Sequence, residues 1–159
     1  MVWAKNGTPT TLGSAGDDMD ITDLTETKFK QFLIHLIPTG DASLDMTLNN
    51  DSGSDYARRT SFDGGSDGTD TSATKLDIGF GNAHDKFYVH YWVDISGEET
   101  LGISFVCNRN TAGAGTAPRR GEQVLKYTDT SAQVTRVDCN NSLSGSYDTD
   151  SNISALGTD

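Results

Sequence analysis

Lys86-Phe-Tyr-Val-His-Tyr-Trp-Val-Asp-Ile95 is the stretch on which the fold turns. Its residues alternate with period two: Phe87, Val89, Tyr91, Val93 and Ile95 fall on one face, and Tyr88, His90, Trp92 and Asp94 on the other. A β-branched and aromatic run with that period is a strand, because a helix would bring together residues three and four apart. Tyr88, His90 and Trp92 are read as the outward face. They are too apolar to be left in water, so either another subunit or a loop of the same chain covers them.

Working outward, Thr100 to Asn108 repeats the alternation, with Leu101, Ile103, Phe105 and Cys107 on one face. The connection Ser96-Gly-Glu-Glu99 is short enough for a hairpin. Lys30 to Ile37 is apolar on both faces, as in a central strand or one covered on its outer side. It is expected to form a second hairpin with the strand that follows Pro38-Thr-Gly-Asp41, where Leu44, Met46 and Leu48 alternate with polar residues. Further strands are predicted over Tyr56 to Phe62, Thr74 to Phe80, Glu122 to Tyr127, Gln133 to Cys139 and Asn152 to Leu156. Weaker signals lie at Val2 to Lys5, Thr10 to Leu12 and Met19 to Thr22. Only Asp23 to Lys30 has the look of a helical turn. Short strands at spacings near ten residues, separated by Gly/Asp/Ser/Asn clusters, predict an all-β, antiparallel two-sheet sandwich, with a jelly roll as the expected topology.

Composition agrees. Of 159 residues, 17 are Gly, 20 Thr and 15 Ser, and the acids divide as 19 Asp to 4 Glu. Asp, Gly, Ser and Thr favour turns and strand ends, whereas Glu favours helix interiors, so a helical bundle is excluded. The length suits one domain over residues 1–159, large enough to bury a core without metal or disulfide staples. A net charge of −11 repels phosphate backbones and anionic lipid, which argues against nucleic acid and membrane as partners. No apolar run is long enough to span a bilayer, and the first residues lack the apolar core of a secretory signal.

Candidate chemistry is sparse. His35, His84 and His90 are far apart, with no metal-binding or nucleophile-activating spacing, so no catalytic residue and no cofactor are assigned. Carboxylate pairs for glycoside hydrolysis can always be imagined among 19 Asp, which makes them uninformative. Asp63, Asp67 and Asp70 lie on glycine-flexed backbone, an oxygen-rich setting for calcium, but a solvated acidic turn explains them as well. The loop Asn110–Gly121 lacks the Gly-Lys-[Ser/Thr] ending that cradles phosphate. Its Arg119 and Arg120, like Arg58 and Arg59, either neutralise nearby Asp within the chain or serve a subunit boundary. These four, with Tyr88 and Trp92, are the interface candidates. Cys107 and Cys139 read as half-buried free thiols, with a single disulfide as the alternative.

Three stretches carry a resemblance: Asn49-Asn-Asp-Ser-Gly-Ser-Asp-Tyr-Ala-Arg-Arg59 with Asp63-Gly-Gly-Ser-Asp67; Asn108-Arg-Asn-Thr-Ala-Gly-Ala-Gly-Thr-Ala-Pro-Arg-Arg-Gly-Glu122; and Thr130-Ser-Ala-Gln-Val-Thr-Arg-Val-Asp138. In this order and spacing the chain resembles, from about Leu33 onward, a β-sandwich module of tailed-bacteriophage structural proteins, marine ones especially. That module occurs alone or within longer fibre-like chains. No catalytic residues come with the resemblance. It implies a virion component: a capsid decoration or cement protein, a head fibre, or a tail-fibre module. The implied partners are the major capsid protein or other virion proteins and further copies of the chain, with a trimer favoured, on the virion surface after assembly in the host cytoplasm. The first strand starts near residue one and no shaft or coiled coil is visible, so a free-standing decoration protein is expected ahead of a fibre. A tail-fibre or receptor- and carbohydrate-binding module is the alternative.

Overall fold

Twelve strands form the fold in a computed structural model that describes residues 2–159. They are β1 (Ala4–Thr11), β2 (Asp18–Ile21), β3 (Phe29–Leu36), β4 (Asp45–Leu48), β5 (Tyr56–Phe62), β6 (Gly68–Ala73), β7 (Leu76–Asp77), β8 (Lys86–Val93), β9 (Thr100–Asn108), β10 (Arg119–Tyr127), β11 (Val137–Asn140) and β12 (Asn152–Thr158). An eight-stranded sheet runs β1-β12-β3-β8-β9-β10-β5-β6, and a four-stranded sheet runs β2-β11-β4-β7. All pairings are antiparallel. This is the expected two-sheet sandwich. Its division into eight and four strands is more lopsided than the two Greek keys of an eight-stranded jelly roll.

The β8–β9 hairpin forms as predicted, and β3 is a central strand between β12 and β8. The predicted β3–β4 hairpin does not form. Pro38 and Gly40 carry the chain from one layer to the other, and β4 pairs with β11 and β7 instead. The two weak N-terminal signals are one strand, β1, irregular in register between Asn6 and Thr10. Residues 68–73, within the predicted connection between strands Tyr56 to Phe62 and Thr74 to Phe80, return along β5 as β6, and the predicted strand from Thr74 shrinks to β7, which crosses to the small sheet. Asp23 to Lys30 forms no helix: Asp23 has φ 57°, and its successors run irregularly into β3. The Gly-rich segment after β9 closes a long hairpin onto β10, with Arg119 opposite Asn108.

The core lies between the sheets. From the large sheet it takes Phe32, Ile34, Tyr88, Trp92, Val106, Leu125 and Ile153; from the small one it takes Met19, Ile21, Met46, Leu48, Val137 and Cys139. Register sets the inner face as rows across strands. One runs Trp92–Gly102–Leu125 and another Phe32–His90–Ser104–Gln123–Thr60. Gly102 is required by its neighbour, since a Cβ there would come within 2.5 Å of the Trp92 indole. The second row is unusual. His90, Ser104 and Gln123 are buried, and neither ring nitrogen of His90, nor Ser104 Oγ, nor the Gln123 amide has a hydrogen-bond partner among the described residues. Burial alone pushes the His90 pKa down to about 3.

Two buried lysines mark the ends of β3 and β8. Lys30 donates to Asp94 at 2.5 Å and to the Thr27 carbonyl at 2.8 Å. Asp94 also accepts from Thr100 Oγ1 and from the Val134 amide, which ties the β8–β9 turn to the chain entering β11. Lys86 donates to the carbonyls of Asn82 (2.7 Å) and Ala42 (3.2 Å), and burial lowers its pKa to about 8.

Candidate interaction face

The large sheet has a second face, which none of the described residues covers. The same registers that point Tyr88, His90 and Trp92 inward turn the odd-numbered residues of β8 outward. Four rows result: Phe29–Val93–Leu101–Lys126, Gln31–Tyr91–Ile103–Val124, Leu33–Val89–Phe105–Glu122, and His35–Phe87–Cys107–Arg120. Phe105 is 50% exposed, Leu101 54% and Val124 52%, fractions that core residues never show. Phe87, Tyr91, Val93, Ile95, Ile103 and Trp3 are exposed as well.

This corrects the sequence reading of β8. Tyr88 and Trp92, named as outward interface candidates, are 0% and 3% exposed and lie in the core, covered by the chain's own second sheet. Both faces of β8 are apolar, so period two identifies the faces but not which one is buried. Trp92 stacks at a tilt on Phe32, with centroids 4.7 Å apart, in the space that Gly102 leaves open.

Toward the Phe29–Val93 end of the outer face lies a groove of about 450 Å³, lined by Trp3, Phe29, Tyr91, Val93, Leu101, Ile103 and Val124. Trp3 and Tyr91 are far apart in sequence, and only the pairing of β1 and β3 on either side of β12, with β8 next to β3, brings them together. Gln31 Nε2 donates to Tyr91 Oη at 3.0 Å on this part of the face. The groove lining offers no carboxylate and no side-chain amide.

Charge is distributed against this face. None of the 19 Asp lies in β3, β8, β9 or β10. The charges at the margin of the face carry both signs: Arg120 pairs with Glu122 at 3.5 Å, Lys126 with Glu99 at 3.4 Å, Arg59 with Asp67 at 3.1 Å and Arg109 with Asp85 at 3.3 Å, while Lys28 lies 5.2 Å over the Phe29 ring. The small sheet is the reverse. Asp18, Asp20, Asp45, Asp51 and Asp138 line a groove of about 370 Å³ on its outer side, where Arg136 bridges Asp20 and Asp138 and Lys75 meets Asp45. Burial first, and the neighbouring Asp138 second, raise the pKa of Asp20.

The remaining candidates have partners within the chain. Arg58 binds Asp70 and Asp77, and so joins β5 to β6 and to β7 of the other sheet. Arg59 meets Asp67 at 3.1 Å. Arg119 donates to Asp63 at 2.8 Å and lies 4.2 Å over the Phe80 ring. The carboxylates considered for calcium are thus each held by a different arginine, and the Arg119 hydrogen bond keeps the Asp63 carboxyl below its usual pKa. Among the described residues, no three His, Cys, Asp or Glu side chains converge as a metal site. Both cysteines are free thiols, and they are less alike than predicted: Cys139 is buried in the small sheet, and Cys107 is exposed on the apolar face. No protein-family model, curated protein or solved structure matches the chain.

Proposed function

We propose that the chain is a non-enzymatic structural protein of a tailed-bacteriophage virion, a capsid decoration or cement subunit that binds the particle and neighbouring subunits. The observation that carries this reading is the uncovered apolar face across β3, β8, β9 and β10. Soluble monomers rarely leave so much contiguous apolar surface in water unless it meets a partner. The sequence resemblance to phage virion modules supplies the setting. Paired arginines and acidic loops elsewhere keep the rest of the surface soluble.

The test is to mix purified protein with capsids that lack it. Saturable binding at a lattice stoichiometry supports decoration, and no binding at protein concentrations of tens of micromolar sinks it.

One observation favours the tail-fibre or carbohydrate-binding alternative: Trp3 and Tyr91 both line the groove, and aromatic rings can serve as stacking platforms for a sugar ring. The lining has no carboxylate and no side-chain amide to meet sugar hydroxyls, so assembly is the better reading. Binding on a glycan array, lost in Tyr91→Ala, would reverse that order.

A further inference from the structure

We propose that the occupant of the apolar face is a second copy of this chain, docked sheet to sheet about a two-fold axis. The proposal deepens the assembly reading above and rests on its choice of face.

Area is the first argument. With side-chain areas of roughly 150–250 Å² for the aromatic residues and somewhat less for the aliphatic ones, the exposed fractions over this face amount to about 800 Å². That exceeds the roughly 300–600 Å² patch of an ordinary monomer. It equals the approximately 800 Å² that each partner contributes to a stable complex of standard size.

Charge is the second argument. Two copies each carrying −11 repel, and they can approach closely only where carboxylates are scarce. The outer face of β3, β8, β9 and β10, strands that carry no Asp, is that place. Their margin carries both signs, through Arg120, Glu122 and Lys126, as a self-complementary contact needs. A basic partner would instead be drawn to the acidic groove on the opposite side of the molecule.

Symmetry is the third. A three-fold ring needs two different complementary patches on each subunit, whereas one patch that recognises itself closes a two-fold pair. The described residues present one such apolar sheet face, toward one end of which Ile103 and Tyr91 flank a groove able to accept side chains from a facing sheet. The two-fold replaces the trimer expected from the resemblance.

The experiment is sedimentation equilibrium of the purified chain from about 1 to 500 µM, beside Ile103→Glu, Val124→Lys and the small-sheet control Asn140→Lys. Ile103 and Val124 are already exposed, so the fold is expected to survive, which circular dichroism and melting check. If either variant fails to fold, attachment of a bulky maleimide to Cys107 of the wild type gives the same reading, because Cys139 is buried. The expected result is a dimer whose dissociation constant rises at least tenfold in both face variants and in the labelled protein, and stays unchanged in the control. A monomer throughout the range, a trimer, or a dimer indifferent to these changes overturns the proposal. The two readings fail separately: a monomer that still saturates capsids through this face keeps decoration and loses the pair, and a dimer that ignores capsids does the reverse.

Discussion

Asp94 and His90 sit two strand positions apart in their burial and in opposite states of satisfaction. The Asp94 carboxylate receives Lys30, Thr100 and the Val134 amide, so every charge in that cluster has a partner. Removing one member strands the other. Asp94→Ala leaves the Lys30 ammonium buried and unpaired, and is expected to cost about 3–5 kcal/mol in urea unfolding. A Lys30→Met/Asp94→Leu double variant should recover much of that loss. His90 is buried with no partner among the described residues. Its folded pKa, about 3, lies below the ordinary value of 6.5. The unfolded chain therefore binds more protons between those values. Its share of stability is fully present above pH 6.5 and is lost as pH falls towards 3, with a slope of up to about 1.4 kcal/mol per pH unit. His90→Leu removes this dependence, and it is expected to leave stability at pH 7 unchanged or raised, since an orphan polar group has been deleted. Urea midpoints measured from pH 7 to pH 3.5 check both; an acid limb as steep as the wild type's would assign the loss to carboxylates alone.

At the scale of elements, β8 and β9 show how far alternation reaches. Their extent, pairing and hairpin follow from period two and the Ser96–Glu99 turn, and the structure places them within a residue or two of expectation. Which side faces inward does not follow, because Phe87, Val89 and Tyr91 are as apolar as Tyr88 and Trp92. The decision is made by neighbouring strands: Gly102 opposite Trp92 makes room for the indole, and Gly121 makes room for Val106 and Phe62. Gly102→Ala should thus displace Trp92 and cost about 1–3 kcal/mol by overpacking, read as a lower melting temperature and a shift in tryptophan fluorescence. A Gly102→Ala protein as stable as wild type would mean that the indole has another place to go. The failed β3–β4 hairpin has the same origin. Local patterning sees two adjacent strands, whereas Met46 and Leu48 are buried only when β4 lies in the opposite layer, beside β11.

The whole molecule is polarised, apolar across β3, β8, β9 and β10 on one broad face, with Asp only at its edges, and acidic on the other. If copies pair through the apolar face, their mutual repulsion is long-ranged and their attraction is short-ranged. Raising ionic strength from about 0.01 to 0.15 M shortens the screening length from about 30 to 8 Å, so pairing should tighten with salt and persist above it. Dissociation at high salt would point to ion pairs at the margin as the driving force. Composition and period two were enough to establish an all-β chain, most of its strands and its acidic character, because these depend on residue type and on neighbours one or two positions away. The interaction face was not legible in the same way. It depends on which of two apolar stripes the second sheet covers and on Trp3 and Tyr91, distant in the chain, lining one groove. Those are set by packing volume and register, which only the assembled sandwich decides.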